Sequence, residues 1–108
     1  MIECNPHLDL VFASLADATR RDILQRVAAQ ELSVGEIASS YEISLAAVSK
    51  HLVVLERAQL VAKRREGKLQ IATLSPPALT DASAYLERYR QIWESRLDRL
   101  ESYLEQKR

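Results

Sequence analysis

The sequence predicts a mainly α-helical domain that carries one small β-hairpin, and three observations support this fold class. Apolar residues recur every three or four positions in several separate stretches, which is the spacing of one face of an α-helix. Two short β-type runs, at 60–65 and 69–74, lie on either side of Gly67. A final helical pattern covers residues from about 77 to 106. At 108 residues, the chain is long enough for a single domain with a modest core.

Composition narrows the functional classes. About half of the residues are apolar, but no run is long enough to span a bilayer and no basic-then-apolar leader is present, so we expect a soluble cytoplasmic protein with no membrane partner. Cys4 is the only cysteine, which excludes a disulfide within the chain. The two histidines and this cysteine are not expected to meet in the fold and no glycine-rich phosphate loop exists, so an enzyme is the least favoured class.

Two helices are predicted before residue 30. Pro6 begins the first, which extends to about Ser14, and Asp17 is the expected N-cap of the second, which extends to about Ala29. Arg20 and Arg21 fall in the first turn of the second helix, where cations oppose the helix dipole, so an acidic neighbour or a phosphate is expected beside them. The residues expected to face inward are Leu8, Val11, Phe12, Leu15, Ile23, Leu24 and Val27.

Residues from about 34 to 57 are typical of a helix-turn-helix. Ser33 and Glu36 have capping-box spacing at the start of a short helix over about 34–40, and Ser44 caps a longer helix after a tight turn. An apolar stripe is predicted along this longer helix, formed by Leu45, Val48, Leu52 and Leu55. Small, polar and cationic residues stand beside the stripe near the helix start, which is what a reader of the DNA major groove requires.

The β-hairpin at about 60–74 follows this helix directly and has a basic tip at Glu66-Gly67-Lys68. A helix-turn-helix followed by such a hairpin constitutes a winged helix. Residues 50–68 contain six basic and two acidic side chains, although the net charge of the chain is zero. Because salt confines such fields to about 8–10 Å, distant acidic groups do not cancel them. A solvated turn is the alternative explanation of the hairpin charges, and the adjacent helix favours DNA.

The last predicted helix, about 77–106, is too long for one small domain to cover. Thirty helical residues span about 45 Å, so the apolar stripe needs a partner helix, most simply from a second copy. We expect part of the stripe to pack against the first helix, which also joins the interface. The predicted homodimer interface comprises Phe12, Leu79, Ala82, Leu86, Tyr89, Trp93, Leu97, Leu100 and Leu104.

Residues from about 8 to 74 resemble the ArsR family of winged-helix bacterial repressors. The similarity lies in Leu-Ala-Asp-Ala-Thr-Arg-Arg-Asp-Ile-Leu at 15–24 and Ala-Val-Ser-Lys-His-Leu at 47–52. Residues 85–100 are similar to a branch that lacks metal sites. The resemblance implies a homodimer that represses its own operon at an inverted-repeat operator in double-stranded DNA and is released by an inducer. The DNA-contacting residues that it implies are Ser44, Ala46, Ala47, Ser49, Lys50 and His51, with Arg64, Arg65 and Lys68 in the wing.

The chain departs from the family pattern at several places. Residues 32–36 are Leu-Ser-Val-Gly-Glu, whereas metal-sensing members of the family have a Cys-x-Cys motif at this place. Residues 77–108 contain no histidine, the residue that a second kind of metal site in the family uses. No metal or other cofactor is therefore expected. Gln59 stands where the family commonly has glycine, and because a left-handed non-glycine residue costs roughly 1 kcal/mol, the helix is expected to end differently. Glu42 also occupies a turn position that is often glycine.

Three alternatives remain open. A metal or thiol sensor could use Cys4 and His7 together with an acidic residue of the last helix, such as Asp81 or Glu87, but most of its ligand shell is unspecified. A protein-interaction module without DNA binding is a second alternative, which the intact basic helix and wing disfavour. The aromatic positions of the last helix could instead line a small-molecule pocket, namely Tyr85, Tyr89, Trp93 and Tyr103.

Overall fold

A computed structural model describes residues 5–107 and confirms the predicted fold class: helices surround a small antiparallel sheet, and the chain ends in a long helix. The first half contains α1 (Pro6–Leu15), α2 (Ala18–Ala29), β1 (Leu32–Ser33), α3 (Val34–Ser39) and α4 (Leu45–Arg57). The second half contains β2 (Val61–Glu66), β3 (Leu69–Leu74) and α5 (Pro76–Gln106). No helix within the described range is both long enough and apolar enough to cross a bilayer.

The predicted helix caps are confirmed, and they explain where α2, α3 and α4 begin. The Asp17 carboxylate accepts a hydrogen bond from the Arg20 amide at 3.0 Å. Ser33 and Glu36 form the capping box reciprocally, each side chain accepting from the other's amide at 3.1 Å. The Ser44 hydroxyl accepts from the Ala47 amide at 3.1 Å. Each cap satisfies an amide that has no partner inside its helix.

The core lies between α4 and the other helices. Val48, Leu52 and Leu55, on the inner face of α4, are each 0 % exposed. The rest of the core is supplied mainly by Val11, Ile23, Leu24, Val27, Ile37, Leu60, Val61 and Ala72. The prediction that Leu45 continues the buried stripe is wrong, since this side chain is 56 % exposed. Leu45 is the first residue of α4, and that end of the helix extends beyond the core.

The sheet has three strands in the order β1-β3-β2, all antiparallel. β2 and β3 form the predicted hairpin, with Val61 opposite Leu74 and Glu66 opposite Leu69. β1 was not predicted, because two residues are too few to show an alternating pattern. Leu32 of β1 pairs with Ala72 of β3, which joins the wing, the hairpin of β2 and β3, to the start of α3.

The end of α4 corrects another expectation. Gln59 does adopt the left-handed conformation, with φ of 61°, although a different helix end was expected. The Gln59 amide donates to the Glu56 carbonyl at 2.9 Å, and the Leu60 amide donates to the Leu55 carbonyl at 3.0 Å. These two hydrogen bonds form a Schellman motif, and Leu60 is fully buried. The motif and this burial offset the backbone strain.

α5 is 31 residues long, and only its first part packs on the subunit. Ala78 and Ala82 are buried, and the Phe12 and Tyr85 rings lie 5.7 Å apart between α1 and α5. Beyond this contact the apolar stripe is exposed, including Trp93, which is 62 % exposed. The expected packing of part of the stripe against the first helix is therefore present.

The strain at Gln59 predicts that Gln59→Gly stabilises the protein. Glycine adopts positive φ at little steric cost, so we expect the free energy of unfolding in urea to rise by about 0.5–1 kcal/mol. The matched control is Gly67→Ala in the hairpin, where φ is 62° and the added methyl meets no atom within 4 Å. Backbone strain should make this variant less stable by a similar amount. A Gln59→Gly protein no more stable than the wild type would contradict the argument.

Candidate nucleic-acid interface

The first two turns of α4 present an outward surface of small, polar and cationic groups. Ser44, Ala46 and Lys50 are exposed, and Ala47, Ser49 and His51 are half-buried. The inner face of the same helix is completely buried. The helix therefore cannot rotate about its axis and present a different set of residues at the surface. The structure thus brings together the α4 residues that the sequence predicted as contacts.

Arg20 and Arg21 have negative groups beside them, as the sequence predicted. Arg20 Nε donates to the Ser14 carbonyl at 2.7 Å, and Arg21 Nη1 donates to the Leu15 carbonyl at 2.8 Å. These carbonyls at the end of α1 carry partial negative charge, and the Asp17 carboxylate is the acidic neighbour of Arg20. The two arginines therefore fix α2 to the end of α1.

Arg20 also contacts α4. Its Nη1 lies 3.5 Å from Nδ1 of His51. A guanidinium group can only donate a hydrogen bond, so Nδ1 is the acceptor in this contact. The family resemblance implied that His51 contacts DNA. This geometry gives it a supporting contact, and the contact with DNA stays a prediction.

His7 contacts the C-terminal end of α4. Its Nε2 donates to the carbonyl of Ala58, the C-cap of α4, at 3.1 Å, and its Nδ1 lies 4.0 Å from the Asp81 carboxylate on α5. The N-terminal sensor alternative also required Cys4, which lies outside the described residues. Within residues 5–107, no three His, Cys, Asp or Glu side chains are grouped to hold a metal ion.

A cluster that the sequence did not reveal fixes the turn before α4. The Tyr41 hydroxyl donates to the Asp22 carboxylate, and Arg26 Nε donates to the same carboxylate oxygen at 3.0 Å. The Tyr41 hydrogen bond, and after it that of Arg26, lowers the pKa of Asp22 below its usual value. The Arg26 guanidinium also lies over the Tyr41 ring, 5.3 Å from its centre. A separation of 19 residues between Asp22 and Tyr41 leaves no local sequence signal for this contact.

The wing places its cations in different environments. Arg64, Arg65 and Lys68 are all exposed, as a phosphate contact requires. Arg64 forms ion pairs with Glu31, just before β1, and with Glu66 at 3.5 Å, and the Glu31 hydrogen bond raises the pKa of Arg64. Arg65 Nε donates to the Gly67 carbonyl at 3.3 Å. A phosphate must therefore compete with Glu31 for Arg64.

The predicted dimer residues fall into two groups. Ala82 is only 5 % exposed and belongs to the core of its own subunit, while Phe12 and Leu79 are half-buried against that core. The remaining side chains are exposed along α5: Leu86, Tyr89, Trp93, Leu97, Leu100 and Leu104.

The sequence and fold of this chain are similar to those of known transcriptional regulators. A family model described as a helix-turn-helix domain matches residues 15–64. The chain is 41 % identical over 81 residues to the HTH-type transcriptional regulator Rv2034 of Mycobacterium tuberculosis, covering 75 % of this chain and 76 % of that protein. It is 32 % identical over 72 residues to the transcriptional repressor SdpR of Bacillus subtilis, covering 67 % and 80 %. An ArsR-like transcriptional regulator from Rhodococcus sp. RHA1 superimposes with a TM-score of 0.72 at 30 % identity, over 87 % of this chain and 89 % of that one.

The ion pair between Glu31 and Arg64 predicts that Glu31→Gln strengthens binding to DNA of arbitrary sequence. Removal of the carboxylate frees Arg64 for a phosphate, so the salt dependence of binding should steepen by up to about one phosphate contact. Fluorescence anisotropy over a range of salt concentrations measures this slope. Glu105→Gln, an equal charge change near the end of α5, should leave the slope unchanged. Weaker binding by Glu31→Gln would show instead that Glu31 holds Arg64 in its binding position.

Proposed function

This chain belongs to the ArsR family of winged helix-turn-helix transcriptional regulators, and we propose that it acts as a homodimeric repressor that binds an inverted-repeat operator, its own promoter included. The observation that carries this proposal is the two-sided character of α4. Its inner face is fully buried, while small, polar and cationic groups occupy the outer surface of its first two turns. A helix held in this way can enter the major groove without any rearrangement of the core.

Two copies of α4 are needed to read an inverted repeat. Recognition helices about 34 Å apart meet successive major grooves on one side of the duplex. Lys50 and the wing cations supply sequence-independent affinity by displacing counterions from phosphates, and the residues at the base edges supply discrimination. The role carries no catalytic step.

The exposed apolar stripe on α5 is evidence for the proposed homodimer. Leu86, Trp93, Leu97 and Leu100 are all large apolar residues, and each is about half exposed or more. Contiguous apolar surface of this kind marks an interaction site in monomeric structures. Burial of the stripe against the same stripe of a second subunit gives two-fold symmetry, which matches the symmetry of the proposed operator.

We also propose that DNA binding requires no metal ion. The start of α3 offers no thiolate, and α5 carries no histidine. An absorbance band from thiolate coordination of cobalt, together with lost operator affinity, would contradict this part of the proposal and favour the Cys4 and His7 sensor.

The division between affinity and discrimination predicts different effects for two neighbouring residues. Lys50→Ala should weaken binding to all sequences and flatten the salt dependence by about one phosphate contact. Ser49→Ala should instead reduce the preference for the operator over random DNA. Titration of both variants against the chain's upstream DNA and a shuffled duplex distinguishes the two effects. Equal losses by Ser49→Ala on the two duplexes would count against base reading.

The proposed dimer predicts that Leu97→Glu produces a monomer. A charge in the apolar stripe should oppose association, so operator affinity should fall at least about tenfold while helix content is retained. Ser95→Glu is the control, because two residues turn an α-helix by about 200° and place Ser95 on the opposite side. Sedimentation and gel-shift measurements test both variants. A wild-type protein that is monomeric at micromolar concentration, or that ignores its own promoter at low salt, would overturn the proposed function.

A further inference from the structure

Leu45 is an exposed apolar side chain at the N-terminal end of α4, beside the proposed DNA surface. It is the first residue of α4 and follows the Ser44 cap directly. The three-and-four spacing places it with the core residues, but it is 56 % exposed, in contrast to the full burial of Val48 one turn later. The core therefore does not account for a leucine at this position.

The position of Leu45 on α4 favours a contact with bases rather than with phosphates. It stands four residues before Ser49, so the two side chains share one side of the helix. Side chains of a helix lean toward its N-terminus, which carries Leu45 beyond the first turn. The N-terminal residues of a recognition helix are those that contact base edges. The adjacent Ala46 and Ala47 are short, so Leu45 has the longest side chain of this first turn.

A leucine has no hydrogen-bonding group, so it can recognise only an apolar feature of a base. In the major groove, that feature is the C5-methyl group of thymine. We propose that Leu45 is a specificity-determining residue, which selects a thymine in each operator half-site by packing on its methyl group. This inference rests on the proposed function of the chain as an operator-binding dimer.

The experiment removes the methyl group alone. A preferred duplex is first selected by the wild-type protein from a random-sequence library, and each thymine is then replaced by deoxyuridine. We expect one symmetric thymine position where this replacement weakens binding about fourfold per half-site, or roughly fifteenfold in both, which is the effect of exposing one buried methyl-sized group. The same replacement at other thymines should have little effect.

Variants of Leu45 connect this effect to the side chain. Leu45→Ala should bind the thymine and deoxyuridine duplexes equally, at the affinity that the wild type has for deoxyuridine. Alanine is the best helix former, and the site is largely exposed, so the variant should fold, which its thermal unfolding checks. Leu45→Met keeps an apolar side chain of similar reach and should retain the preference for thymine. Leu10→Ala in α1, where leucine is 47 % exposed and lies outside α4 and the wing, is the matched control and should behave as the wild type does.

The outcomes separate this inference from the proposed function. A wild-type protein that selects a sequence but binds every deoxyuridine duplex as tightly as its thymine parent would overturn the role of Leu45 alone. A Leu45→Ala variant that keeps the full preference for thymine would do the same. A wild-type protein that selects no sequence at all would overturn the proposed function, and the role of Leu45 with it.

Discussion

Burial of the inner face of α4 is the constraint on which the rest of the interface depends. Val48, Leu52 and Leu55 are in full contact with the core, so rotation of α4 about its axis would expose all three. Each such side chain contributes about 1.5–3 kcal/mol when it is fully buried. The rotational setting of the helix is consequently fixed before DNA arrives, and the identity of its outward residues follows from it.

α1 is the element that connects this helix to α5. His7 of α1 contacts the C-terminal end of α4 at the Ala58 carbonyl, and the last turn of α1 holds Arg20 of α2 beside His51 of α4. α1 also packs on α5 through the Phe12 and Tyr85 rings. In the proposed dimer, three packed helices in series, α4, α1 and α5, would set the separation of the two copies of α4, rather than a flexible linker.

The sequence predicted the features that depend on neighbours along the chain and the packing of α5 on α1, but it missed other contacts between distant residues. The caps at Asp17, Ser33 and Ser44 are local hydrogen bonds, so residue type and spacing were sufficient. The Tyr41 contact with Asp22 and the pairing of β1 with β3 are long-range and have no periodic signal. Leu45 fits the helical period, but a period cannot show where the core ends. Gln59 was misjudged because the cost of positive φ is visible in the sequence, whereas the burial of Leu60 that offsets it is not.

The strand order of the sheet has one more consequence. Among residues 5–107, β2 pairs with β3 alone. Its other side is therefore an edge of the sheet, where a strand from another molecule can add. Lys63, Arg64, Arg65 and Glu66 occupy consecutive positions along this edge. Approach of an identical edge would bring these charged side chains together and desolvate them. Arg64 and Arg65, which are proposed to contact phosphate, therefore also help to protect the protein against edge-to-edge aggregation.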